Sequence, residues 1–111
     1  MIKINIQPTG YQSTYVDIEG IRYTFEFRFL PSVQIWVMNI LKDNEVIIKG
    51  VSLTLCGLVL KQQNFEFDLF LVDSSKSGID PYKLDDFNSR IGLYLLEPNE
   101  ITEIRGYAVS S

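Results

Sequence analysis

Apolar and polar side chains alternate along most of this chain with a period of two, the spacing of a half-buried strand. The longest such run sets Ile21, Tyr23, Phe25, Phe27 and Phe29 against Arg22, Thr24, Glu26 and Arg28. Strict alternation of this kind predicts an antiparallel strand with one face in the core and the other in water. Tyr23, Phe25 and Phe27 are therefore candidate core residues. Tyr11 to Ile18 alternates as well, with Tyr11, Ser13 and Tyr15 opposed to Thr14, Val16 and Ile18. Glu19-Gly20 lies between the two runs as a turn, so the pair reads as a hairpin.

A second hairpin follows Leu30-Pro31-Ser32. Val33 to Leu41 runs into Lys42-Asp43-Asn44-Glu45 and returns as Val46 to Gly50. A two-residue Asp43-Asn44 loop, with Asn tolerating left-handed backbone, sets Lys42 opposite Glu45. Opposite charges in that position contribute about 0.2–1 kcal/mol. This register puts Trp36, Met38, Ile40, Ile47, Val51 and Leu53 on one face. Ile35, Val37, Leu41, Val46 and Ile48 go to the other. Two apolar faces imply burial on both sides, or burial of one side against a partner chain. Trp36, which opens the hairpin, is a further candidate core residue.

The remaining elements are shorter. Ile2, Ile4 and Ile6 form one apolar strand face, ended by Pro8-Thr9-Gly10. Val51 to Leu60 reads as a strand with Gly50 and Gly57 as bulge or bend points. After a turn at Gln62-Gln63-Asn64 comes a strand from Phe65 to Val72, with Glu66 and Asp68 on a polar face. Asp73 to Gly78 is a serine-rich loop. Asp80-Pro81 has the form of a helix start, an acceptor side chain followed by proline, and one helical turn after it would bury Leu84 and Phe87. Arg90 to Leu96 is another strand, ended by Glu97-Pro98, and Ile101 to Val109 either adds a last strand or hangs free. The fold class is all-β: a single small antiparallel β-sandwich or barrel of six to eight short strands with one short helical turn, forming one domain over 1–111.

Composition narrows the class further. With 111 residues, 46% of them hydrophobic and 13% aromatic, the chain can close one packed core with no metal or disulfide staple. No apolar run reaches membrane-spanning length. The start, Met1 to Ile6, alternates and lacks the apolar core of a signal peptide. Cys56 is the one cysteine, which excludes an internal disulfide. Between Leu55 and Leu58 it reads as a buried thiol in a protein folded under reducing conditions. The net charge is −4 and the ten basic residues are scattered, which argues against duplex nucleic acid as a partner.

Candidate chemistry is sparse. The chain has no histidine, which removes Ser-His and Cys-His nucleophile pairs and the commonest transition-metal ligand. Asp73 to Gly78 lacks the acidic alternation of a calcium loop. Glu66 and Asp68, about 7 Å apart on one strand face, have a spacing common to any polar strand, so they read as such rather than as a glycosidase pair. Tyr23, Phe25, Phe27 and Phe29 could serve as a stacking platform for bases or sugars in a small OB-type barrel, but four rings in strict alternation read first as a core face. No catalytic, cofactor or metal residue is assigned. The residues singled out are structural: Trp36, Tyr23, Phe25, Phe27, Gly50 and Gly57.

Several features fall in one order. Trp36 opens a hairpin with Asp43-Asn44 at its tip, and Gly50 precedes Leu53. Cys56-Gly57-Leu58-Val59-Leu60 stands at a strand end, followed by the Phe65 to Val72 strand and Asp80-Pro81. Asp85-Asp86-Phe87-Asn88-Ser89-Arg90-Ile91-Gly92-Leu93-Tyr94-Leu95 closes the series. From Tyr15 to Pro98 this order resembles the cyanophage-type baseplate plug family. The chain departs from that pattern at Val59, where an acidic residue is expected, and at Asn88, where glycine is. The resemblance implies a non-enzymatic structural component of a contractile phage tail baseplate, docking at the central hub and helping close the tail channel. The implied partners are other baseplate proteins (hub, spike and tube), with a homo-oligomer as a further expectation. No cofactor, stable nucleic-acid binding or membrane insertion is expected. The implied location is the virion, after assembly in the host cytoplasm. An acidic plug would also not trap DNA passing down the tube, since like charges repel. The alternative is an OB-type binding module for single-stranded nucleic acid or oligosaccharide.

Overall fold

Among the described residues, seven strands in two antiparallel sheets account for the alternation. A computed structural model describes residues 1–55, 57–60 and 67–100. In chain order the elements are β1 (Ile2–Ile4), β2 (Tyr11–Ile18), β3 (Ile21–Leu30), β4 (Ile35–Lys42), β5 (Glu45–Ser52), β6 (Asp68–Asp73), α1 (Asp86–Ser89) and β7 (Ile91–Leu96). One sheet has the order β2-β3-β4-β5 and the other β1-β7-β6. The sheets do not join into a closed barrel among the described residues, so the architecture is sandwich-like. Residues 98–100 add a second short helical segment beyond the single turn expected.

The β2–β3 hairpin follows the sequence pattern closely. Ile18 pairs with Ile21 across Glu19-Gly20, and the register runs unbroken to Tyr11 opposite Arg28. Both turn residues have positive φ, 52° at Glu19 and 81° at Gly20. That backbone twist matches the twist of the strands it joins. The Asp43-Asn44 tip repeats the solution with φ of 49° and 69°, and Lys42 lies opposite Glu45 as expected.

Farther along, the β4–β5 register departs from the expected one. Leu41 pairs with Val46, yet Ile40 pairs with Ile48 rather than Ile47, and Met38 pairs with Val51. Two irregularities, one on either side of Ile40, insert extra residues into β5. Each insertion flips the following side chains to the opposite face. Ile48 therefore turns toward the core and packs against it, while Ile47 is left 38% exposed. The expectation that Ile47 shares the Trp36 face is corrected accordingly. Nor are both faces of the hairpin buried: Val46 is 52% exposed on the other side.

The core lies between the sheets. β3 and β4 send in Tyr23, Phe25, Phe27, Trp36, Met38 and Ile40, none more than 1% exposed. From the smaller sheet, Leu69 pairs with Leu95 and Leu71 with Leu93, all four buried. Phe67 connects the layers, with its ring edge-on to Tyr23 at 4.8 Å and to Phe25 at 5.9 Å.

The middle of the chain differs from the sequence reading in three places. Regular pairing in β5 stops at Ser52, so most of the strand expected from Val51 to Leu60 is irregular, although Leu53 and Leu60 are buried. Asp80-Pro81 does not start the helix. α1 begins at Asp86, Leu84 is 38% exposed, and the Asp80 carboxylate instead accepts the Leu55 amide at 2.8 Å. The polar face expected at Asp68 is also corrected: Asp68 is fully buried. Its Oδ1 accepts the amides of Leu60 at 2.6 Å and Leu69 at 2.8 Å, which tie the 57–60 segment to β6. The readings on Cys56, the Gln62-Gln63-Asn64 turn, Phe65, Glu66 and Ile101 to Val109 lie outside the described residues.

Candidate docking surface

The outer face of the four-stranded β2-β3-β4-β5 sheet presents a patterned surface. Because directly opposed residues share a face, the register lays out its rows. Tyr11, Arg28 and Val37 form one row, and Ser13, Glu26 and Asn39 the next. Tyr15, Thr24, Leu41 and Val46 form a third. Tyr11 is 53% exposed and Tyr15 58%, so both rings of the edge strand stand in water.

Each ring carries a guanidinium. Arg22 sits 4.1 Å from the centre of the Tyr15 ring and also pairs with Asp17 at 3.1 Å. Arg28 sits 5.5 Å from the centre of the Tyr11 ring. Such contacts are attractive because the ring face is electron-rich. The Tyr11 hydroxyl donates to Glu26 Oε2 at 2.8 Å, and that hydrogen bond is the main cause that pushes the phenol above its ordinary range. Asn39 Nδ2 donates to the other oxygen of Glu26 at 3.3 Å, while Asn39 Oδ1 accepts the Gly50 amide at 2.8 Å. A polar relay thus crosses all four strands.

That relay needs the β5 bulge. Gly50 has φ of +72°, a left-handed backbone that turns its amide toward Asn39. A Cβ at Gly50 would meet nothing within 4 Å, so the obstacle to substitution is backbone conformation and not space. Gly50→Ala is expected to cost about 1–2 kcal/mol, the penalty of a left-handed L-residue. Gly10→Ala, at a glycine with equal space and no positive φ, is the control and should stay within about 0.5 kcal/mol of wild type. Urea denaturation of both variants measures the difference.

The other residues singled out from the sequence sit elsewhere. Trp36, Tyr23, Phe25 and Phe27 are inside the sandwich, at most 1% exposed. The aromatic row is therefore not available as a stacking platform. Gly57 has φ of +83° in the irregular segment, with its amide donating to the Leu55 carbonyl at 2.9 Å. Only Gly50 of the six belongs to the outer face.

One polar assembly is invisible in the sequence pattern. Arg90, just before β7, reaches Asp73 at 3.3 Å and Asp86 at 3.2 Å. It also donates to the carbonyls of Ile79 at 2.7 Å and Asp80 at 3.0 Å. The Asp73 carboxylate accepts the hydroxyls and amides of both Ser75 and Ser77 and the Gly78 amide. The two serine hydroxyls foremost, with the amides, outweigh burial and hold the Asp73 carboxyl well below its ordinary range. The Asp73 carboxylate and the Arg90 guanidinium thus tie the 74–80 segment to β6 and to the start of β7, and their hydrogen-bonding groups are engaged in holding it. Among the described residues, no cluster of three or more acidic or thiol side chains could hold a metal ion.

No curated protein matches this chain. A family model described as Cyanophage baseplate Pam3 plug gp18 matches residues 1–98. The match spans every strand from β1 to β7, both sheets and the outer face together, and by it the chain belongs to the cyanophage baseplate plug family.

Proposed function

We propose that this chain is a structural plug of the phage tail baseplate, docking at the central hub and helping close the tail channel without performing chemistry. Membership of the plug family supports a baseplate role. The observation that carries docking is the exposed apolar surface of the β4–β5 hairpin, where Ile35 is 37% exposed, Val46 52% and Ile47 38%. Val46 and Ile47 lie on the edge strand β5 and Ile35 on the adjoining β4, and an interface there would take these apolar side chains out of water. Interfaces of this type bury about 1,200–2,000 Å².

The proposed partners are hub, spike and tube proteins, with self-association as a further mode. In this reading the protein resides in the virion baseplate after assembly in the host cytoplasm. On the same reading 1–111 is a single β domain, and among the described residues its shape rests on Trp36, Tyr23, Phe25 and Phe27, with Gly50 and Gly57 at left-handed bends. The burial of the aromatic row removes the main support for single-strand or oligosaccharide binding.

Deleting the gene from the phage is the direct test. The expected result is at least a hundredfold loss of infectious particles, with restoration from a plasmid copy. Normal titres of infectious phage from the deletion, or cryo-EM maps of tails in which purified baseplates lack the protein, would overturn the reading.

A further inference from the structure

The outer face holds a groove with a volume of about 480 Å³ that crosses the whole sheet, from Tyr11 on β2 to Lys49 and Gly50 on β5. Leu30 and Val37, both half-buried, give it apolar walls. Arg28 and Lys49 stand exposed at it. Among the described residues, neither cation is in an ion pair, in a chain whose fourteen acidic residues outnumber its ten basic ones. The one carboxylate in the groove, Glu26, has both oxygens engaged, by Tyr11 and by Asn39. Those donors are neutral, so Glu26 keeps its charge, and what the groove offers a ligand is two cations outside ion pairs and one hydrogen-bonded carboxylate, a net charge of about +1 over an apolar floor.

Resting on the docking role proposed above, we infer that this groove seats an extended acidic segment of a neighbouring baseplate protein, its carboxylates on Arg28 and Lys49 and its alternate apolar side chains on Leu30 and Val37. The length fits. Four strands span three inter-strand spacings, about 14 Å, which about four extended residues cover. Alternating side chains of an extended segment point to opposite sides, so every second residue reaches the floor. Charge complementarity sets the register and the choice of partner. A nucleic acid is the poorer occupant. Two cations neutralise only about two phosphates, fewer than a nucleic-acid strand needs for firm binding.

The test uses the full-length ¹⁵N-labelled chain and three probes: an acetylated hexapeptide alternating glutamate with leucine, its glutamine counterpart, and a thymidine hexanucleotide. The glutamate peptide is expected to shift the amide resonances of Arg28, Val37, Asn39 and Gly50. The double variant Arg28→Gln/Lys49→Gln should weaken that binding about tenfold, two partly exposed ion pairs. Both side chains are exposed, so its melting temperature should match wild type. No shifts in these residues, equal binding of the glutamine peptide, or tighter binding of the hexanucleotide would each overturn the acidic-segment assignment. A dimer of the chain alone that the double variant dissociates would do the same, by making the groove a self-interface. Complementation of a deletion phage separates this inference from the plug reading. If wild type enters tails and the double variant enters equally well, the groove assignment falls while the plug reading stands. If wild type itself is absent from tails, the plug reading falls.

Discussion

Trp36→Ala is expected to destabilise the protein by about 3–5 kcal/mol, the range for truncating a buried large aromatic. Trp36 is fully buried on β4. Its ring meets Phe87 of α1 edge-on at 5.4 Å and leans on Phe29 of β3 at 5.4 Å. Its Nε1 donates to the Lys83 carbonyl at 3.1 Å. One side chain thus fastens the larger sheet to the segment that leads into α1 and β7. Removing it leaves a cavity and strips the Lys83 carbonyl of its donor, and both effects point the same way. Against a total stability of about 5–15 kcal/mol for a small domain, the loss is large. Circular dichroism in urea reads it without relying on the missing fluorophore. Trp36→Phe keeps a ring and loses the hydrogen bond, so it should cost less than half as much. An alanine variant whose midpoint equals that of wild type would contradict the role assigned to this residue.

Asp86→Ala is expected to cost about 2–4 kcal/mol at neutral pH, because it leaves the Arg90 guanidinium half-paired and two amides without an acceptor. The Asp86 side chain is 4% exposed against 15% for Arg90. It accepts the amides of Tyr82 at 2.8 Å and Lys83 at 2.9 Å, as well as the guanidinium. Burial pushes its carboxyl up, but the Lys83 and Tyr82 amides and Arg90 together outweigh burial and hold it below the ordinary carboxylate range. Asp73 is held low as well. The pH dependence follows from the sign of these shifts. Carboxyls of the unfolded chain take up protons near pH 4. The folded chain resists protonation at these two sites, so their stabilisation is fully present above that pH and fades as pH falls below it, through the depressed folded values. Wild type should therefore lose melting temperature steeply below about pH 4, and Asp86→Ala should show a shallower acid slope from a lower starting point. A variant with the wild-type slope would show that Asp86 is not among the groups that drive acid unfolding.

The local elements were legible wherever pattern and pairing agree. Ile21 to Phe29 alternates without interruption, and of the residues that the alternation selects β3 buries Tyr23, Phe25 and Phe27 and half-buries Ile21 and Phe29. The tight turns at Glu19-Gly20 and Asp43-Asn44 could be read from residue type, since few residues accept left-handed backbone. The all-β class and the family resemblance followed from the same signals. The β5 bulges were not legible, because an inserted residue changes the face of its neighbours without changing composition; Ile47 and Ile48 are interchangeable as sequence and opposite as structure. Asp80-Pro81 shows the same limit. The dipeptide suits a helix start, but its carboxylate found the Leu55 amide, a partner twenty-five residues away that no local rule anticipates.

The outer face divides along the same line. Its polar identity was written in the alternation of Arg22, Thr24, Glu26 and Arg28. Which of those charges are already satisfied was decided only by the neighbours that β2, β4 and β5 bring alongside. Tyr11 and Asn39 occupy Glu26, Asp17 occupies Arg22, and Arg28 and Lys49 are left over. The Asp73, Asp86 and Arg90 assembly likewise exists only once α1 has been packed against β7. By itself the sequence determined the two hairpins β2–β3 and β4–β5, their turns and the core rows of β3 and β4, since period and turn chemistry act between near neighbours. The bulged register, the buried Asp68 and the unpaired cations of the groove were decided by the tertiary structure, because charge and hydrogen-bond satisfaction depend on partners that chain order does not place together.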